Sequence, residues 1–127
     1  MIAVDTSALM AVVLREEEAE ACKAVLEAET ELVISAATVA EALIVAAGRS
    51  LVEEMNRLID GLGFDVVSVT PAAARRIAEA YRQWGRGRHP AGLNFGDCFS
   101  YDAAKERGCP LLFVGGDFAQ TDLQSVL

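Results

Sequence analysis

Asp5, Glu41, Asp97 and Asp117 each fall where a short apolar run ends or a helical stretch begins, in a chain with a single histidine. Hard divalent cations favour carboxylate, carbonyl and water oxygens, whereas zinc and copper recruit His and Cys. An oxygen-donor set therefore points to Mg²⁺ or Mn²⁺ and to metal-assisted chemistry on phosphates. Each acid also has a local explanation. Asp5-Thr6-Ser7 reads as a strand-to-helix turn in which one hydroxyl caps the helix and the other orients a ligand or water. Thr38-Val39-Ala40-Glu41 spells a capping box, which balances cap against ligand about evenly. Asp97 suits the first turn of a helix by its charge, although Asn94 is available as the cap. Asp117 sits in the glycine-rich turn Val114-Gly115-Gly116-Asp117-Phe118. Two observations weigh against four separate coincidences. Glu41 is the only acid between Leu32 and Ala47 and needs a partner there, and four carboxylates converging without a cation would repel strongly.

The elements that must position them are legible from apolar patterning. Short β-rich runs at 2–4, 32–34, 66–69 and 111–114 lack polar alternation, as expected of a parallel sheet covered on both faces. Between them lie helical stretches at 8–14, 17–29, 38–47, 51–62, 71–84 and 96–107. Thr70-Pro71 marks a helix start, and Gly48 and Gly108 mark helix ends. Alternating strands and helices predict an α/β three-layer sandwich with a central, mainly parallel sheet of four to five strands. In such sheets ligands gather beyond the carboxyl ends of the strands, where Asp5 and Asp117 fall. At about 100° per residue, Ser100 and Tyr101 share the face of Asp97, and Asp102 is rotated away as a solvated charge within reach of Lys105.

Length and composition narrow the class. The 127 residues, 53% of them hydrophobic, suit one domain spanning 1–127. Cys22, Cys98 and Cys109 are odd in number and lack CxxC spacing, which suits a reducing cytoplasm. No leader pattern or run of about 20 apolar residues is present, so a soluble protein with no membrane contact is expected. The net charge of −8 disfavours wholesale coating of nucleic acid and restricts any contact to a local or metal-bridged one. Positive charge concentrates in Arg82, Arg86, Arg88 and His89, around a glycine-rich loop at 85–92 expected to be mobile; these are the candidates for such a local nucleic-acid contact. Tyr81 and Trp84 suit core or partner packing better than base stacking. The stretches 8–13 and 37–47 are apolar over more than one face, which predicts an exposed groove or dimer patch.

The segments IAVDTSAL, ISAATVAEALIV, YRQWGRGRHPAGLNFGDCFSYDAAK and PLLFVGGDFAQTDL resemble the PIN-domain family, and within it the VapC toxins of type II toxin–antitoxin pairs. The resemblance runs along nearly the whole chain, and GRHPAGLNFGDCFSY is its most specific part. It implies a PIN-like fold and a Mg²⁺- or Mn²⁺-dependent ribonuclease acting on tRNA, rRNA or other RNA. It assigns the metal site to Asp5, Glu41, Asp97 and Asp117, with Thr6 and Ser7 supporting. It also implies a VapB-type antitoxin partner, a homodimer, and DNA contact only through the antitoxin. Gly116 stands where many relatives carry Asp or Asn, which leaves open whether Asp117 or Asp122 completes the site and keeps a catalytically weak or inactive binding module as the alternative. A haloacid-dehalogenase-type phosphotransferase needs an Asp at position 7, where this chain has Ser7. A phospho-receiver needs adjacent acids near the first strand, where this chain has Asp5 alone.

Overall fold

A computed structural model describes residues 1–127. Four strands, β1 (Ile2–Val4), β2 (Leu32–Ser35), β3 (Asp65–Val67) and β4 (Leu111–Leu112), form one sheet in the order β3-β2-β1-β4. Every pairing is parallel, with Ile2 opposite Leu32, Val4 opposite Leu112 and Ser35 opposite Val67. All four carboxyl ends therefore lie along one edge. Six helices link the strands: α1 (Thr6–Val13), α2 (Ala19–Ala28), α3 (Ala36–Gly48), α4 (Val52–Leu62), α5 (Pro71–Trp84) and α6 (Phe95–Arg107).

Strand residues alternate between two cores, as the twofold period of a pleated strand requires. Ile2, Val4, Leu32, Ile34 and Leu112 pack with Leu9, Cys22, Leu26, Ala42 and Met55 of α1 to α4. Ala3, Leu111 and Phe113 face the other way, onto Ile77, Cys98, Tyr101 and Ala104 of α5 and α6. Two helical layers thus enclose the sheet, which is the expected sandwich. Leu9 and Leu112 are wholly buried, each contributing roughly 1.5–3 kcal/mol of transfer free energy. The edge beyond β4 is covered by the chain itself, where the Leu111 N–H donates to the Gln124 carbonyl at 3.1 Å.

Local signals set most boundaries. The Thr70 hydroxyl accepts from the Ala73 N–H at 3.1 Å and Pro71 opens α5; Gly108 ends α6 with φ +62°. Gly48 does not end α3 as a left-handed residue; it is the last helical residue, and Ser50 takes the positive φ of 58° two positions on. The capping box expected at Thr38 is also absent. Ser35 caps α3 by accepting from the Ala37 N–H, so Thr38 lies inside the helix, almost wholly buried. The third strand begins one residue earlier than its apolar run and ends at Val67, at the sheet edge and paired only to β2.

Two surface expectations change. Asp102 is buried rather than solvated, and accepts from Arg76 Nε at 2.8 Å and Nη2 at 3.2 Å, while Lys105 pairs with Asp122 at 3.0 Å. The all-round apolar α1 is spent inside the core; exposed apolar surface remains on α3, at Ile44 and Val45. No helix is long and apolar enough to cross a membrane.

Candidate active site

Asp5 follows β1 and caps α1. Its Oδ2 accepts from the Ser7 N–H at 3.0 Å and the Ser7 hydroxyl at 2.7 Å, and its Oδ1 accepts from the Ser100 hydroxyl at 2.6 Å. The side chain is only 4% exposed, so these three donors replace the water it has lost. Ser7 also accepts from the Val114 N–H at 3.0 Å, tying the loop after β4 to the turn after β1. Behind Ser100 lies Thr38, hydroxyl to hydroxyl at 3.2 Å and fully buried. Glu41, one turn further along α3, accepts from the Thr6 hydroxyl at 2.5 Å.

Asp97 occupies the third position of α6 and forms the capping box that the sequence pattern placed at Glu41. Asn94 Oδ1 accepts from the Asp97 N–H at 2.8 Å, and Asp97 Oδ2 accepts from the Asn94 N–H at 3.0 Å. Burial drives the Asp97 carboxyl up to about 6, with the charges of Asp5, Asp117 and Glu41 adding to the rise and the Asn94 amide opposing it. The four acids are therefore neighbours in the electrostatic sense, as their sequence positions suggested. Asp117 is exposed in the turn after β4 and makes no side-chain capping bond. Asp122, the other candidate for the fourth role, is engaged elsewhere, accepting from the Tyr101 hydroxyl at 2.7 Å and Lys105 Nζ at 3.0 Å.

None of the protein's ion pairs involves Asp5, Glu41, Asp97 or Asp117. The donor set is thus all oxygen, negatively charged and without a protein cation, which fits a hard divalent ion. The carboxylates are gathered but not closed, since no three of them converge on one cation position. Each of Asp5, Glu41 and Asp97 is turned onto a protein donor. Asp5, Glu41, Asp97 and Asp117 are the residues available to such an ion, with Thr6 and Ser7 fixing two of them.

Residues 85–93 beside the cluster form a turn laced by backbone hydrogen bonds. Backbone bonds run from Arg86 to Leu93, from Arg88 and His89 to Gly85, and from Leu93 to Trp84. Arg86 and Arg88 are exposed and free of ion pairs, whereas Arg82 is already bound to Glu79 at 2.9 Å. That internal partner weakens Arg82 as a phosphate contact. His89 Nδ1 accepts from the Ala91 N–H at 3.0 Å and its ring meets Trp84 edge-on at 4.7 Å. Trp84 Nε1 donates to the Tyr101 hydroxyl at 3.0 Å, a packing role. Tyr81, Arg86, Asn94 and Phe95 line a cavity of about 240 Å³ next to Asp97; Phe95 is 73% exposed.

Sequence reasoning placed Ser100 on the Asp97 face without anticipating its bond to Asp5, and missed Thr38 as the residue behind it. It also missed Gly96, whose bare backbone lies against the Glu41 carboxylate. A hydroxyl one helical turn from a candidate acid was the available signal for Ser100; Gly96 had none.

A PIN domain profile matches residues 2–123. Ribonuclease VapC30 of Mycobacterium tuberculosis is 43% identical over 126 residues, covering 97% of this chain and 96% of that protein. Among solved structures, VapC20 of M. tuberculosis, described as a toxin that cleaves the sarcin-ricin loop, superposes with a TM-score of 0.79 at 18% identity over 98% of this chain and 97% of its own. A toxin–antitoxin complex from Klebsiella pneumoniae gives 0.74 at 18% identity, over 100% and 97% of the two chains. The chain belongs to the PIN-domain family, and its sequence relatives place it among the VapC-type members.

Proposed function

With PIN-domain membership as the premise, we propose that this chain is a Mg²⁺- or Mn²⁺-dependent endoribonuclease and the toxin of a type II toxin–antitoxin pair. The observation that carries the reading is the acidic cluster. Four acids share the strand-end edge, no Lys or Arg neutralises them, and Asp97 is pushed up to about 6. When bound, a divalent cation polarises the phosphodiester and lowers the pKa of a coordinated water, so that hydrolysis proceeds near neutral pH.

The chain's own residues do the positioning. Ser7 and Ser100 hold both oxygens of Asp5, and the Asn94 backbone holds Asp97; these two acids would hold the cation directly. Glu41, held by Thr6, is a further ligand or the group that orients the attacking water. Asp117, exposed at the same edge, would act as an outer ligand. Arg86 and Arg88, free of internal partners, meet the RNA backbone beside Asp97. The partner is a VapB-type antitoxin, in keeping with the Klebsiella complex, and the toxin works as a homodimer that reaches DNA only through the antitoxin.

A binding module that cleaves nothing is the second reading, favoured by the exposure of Asp117 and by Gly116 beside it. Purified, antitoxin-free protein is incubated with total tRNA and rRNA in Mg²⁺, Mn²⁺ or EDTA, beside Asp5→Asn and Asp97→Asn. Cation-dependent cuts lost in both variants support the nuclease; intact RNA despite cation binding supports the module.

A further inference from the structure

We propose that Gly96 is a positioning residue for Glu41: the missing side chain at the second position of α6 is the space in which the Glu41 carboxylate lies. The proposal deepens the reading of the acidic cluster as a cation site and rests on it. A Cβ placed on Gly96 would stand 2.1 Å from Glu41 Oε2, 2.8 Å from its Cδ and 3.1 Å from Oε1. The first two separations are inside van der Waals contact, so a methyl group and this carboxylate position exclude one another.

Backbone conformation gives no other reason for glycine here. The positive-φ glycines are Gly63, Gly87, Gly92, Gly108 and Gly115, and Gly96 is not among them. An ordinary helical site occupied by glycine costs roughly 1 kcal/mol relative to alanine. The atoms that forbid the methyl group belong to one side chain on another helix. From the other side, the Thr6 hydroxyl grips Glu41 Oε1. The carboxylate is thus held between a hydroxyl at the β1 end and the bare backbone at the start of α6. One helical turn later on α6, Ser100 holds Asp5. This single helix therefore sets two carboxylates that α3 and the β1 turn supply, in addition to carrying Asp97.

The obstructing atoms are the far end of a flexible side chain, so Gly96→Ala displaces Glu41 and leaves the fold intact. Gly61→Ala is the control, because Gly61 lies in α4 with nothing within 4 Å of its added Cβ. Three quantities are read on the two variants and the parent chain: the thermal midpoint in EDTA, the Mn²⁺ dissociation constant, and the ¹³C shift of the Glu41 carboxyl in cation-free protein, assigned by Glu41→Gln. Both variants are expected to keep or raise the midpoint. Gly96→Ala alone moves the Glu41 resonance and weakens Mn²⁺ binding about 10–100-fold, the usual cost of losing support behind a ligand. A Glu41 resonance unmoved by Gly96→Ala overturns the proposal, as does unchanged Mn²⁺ affinity in a parent chain that binds the ion. Failure of the parent chain to bind Mn²⁺ sinks the cation reading instead, and the resonance then decides the role of Gly96 by itself.

Discussion

Acids occur in two very different settings on the two ends of α6. At its start, Asp5, Glu41 and Asp97 accept only from hydroxyls and backbone amides. Along its later turns, Asp102 is bonded to Arg76, and Asp122 to Lys105 and Tyr101. The electrostatic consequences are opposite. Asp97 is pushed up to about 6 by burial and neighbouring acids. Asp122 is held below the ordinary carboxylate range, because the Tyr101 and Lys105 bonds outweigh its own desolvation. The second group is electrically complete and holds the fold; each acid of the first accepts at least one hydrogen bond yet carries uncompensated negative charge. Hydrogen bonding alone therefore does not separate the two groups; a protein cation beside the acid does.

Removing a charge from the incomplete group tests this contrast most severely. Asp5→Asn should cut cation-dependent RNA cleavage on the order of 10³-fold, the kinetic equivalent of several kcal/mol of lost metal-assisted stabilisation. Circular dichroism should report an unchanged fold, since an amide retains an acceptor for Ser7 or Ser100. Activity within tenfold of the parent chain would place the chemistry elsewhere.

Asp97→Asn should uncouple stability from function. The folded carboxyl titrates near 6 against an ordinary 3.8, so the folded state binds more protons between those values and stability falls as pH rises from about 4 to 6. Above that window the charged form carries the full penalty. Discounted for partial exposure and for the lost helix-dipole term, its relief is about 1 kcal/mol. In EDTA at pH 7.5 the variant should melt a few degrees higher than the parent chain, with the gap closing below pH 5. Saturating Mn²⁺ should reverse the order, since only the parent chain gains fully from binding; at a hundredfold excess over Kd that gain is about 2.7 kcal/mol. A variant that melts lower in EDTA at both pH values contradicts the account of Asp97.

In the completed group, Asp102→Asn should do the converse. It leaves Arg76 without its buried carboxylate and lowers the thermal midpoint, with cleavage per folded molecule unchanged. Loss of activity at full folding would dissolve the distinction between the two groups.

The smallest effects belong to the arginines. Arg86→Ala should weaken RNA binding uniformly across sequences and lower the salt slope by about one. Arg82→Ala, already paired with Glu79, should change that slope less. Equal slopes for the two variants would remove the reason for separating them.

Strand and helix order was legible because apolar runs differ sharply in length and because Thr70-Pro71, Asn94 and Gly108 mark boundaries by their own chemistry. Thr38-Val39-Ala40-Glu41 misled, since it has the capping-box pattern while Ser35 caps the helix. The true box, Asn94 to Asp97, belongs to an acid already in view as a ligand; one carboxylate can serve both local structure and the site. Asp102 was misread because helical rotation places it away from Asp97 but says nothing of α5, whose Arg76 comes to meet it.

The sequence by itself determined the fold class, the family and the oxygen-donor character of the cluster. Those depend on residue type, on short-range periodicity and on motifs that run along the chain. Only the tertiary structure decided which acids have cations, that Ser100 and Thr38 stand behind Asp5, and that Gly96 leaves room for Glu41. These are contacts between residues 17 to 95 positions apart, and the packing of α5 and α6 against the sheet and α3 brings most of them together.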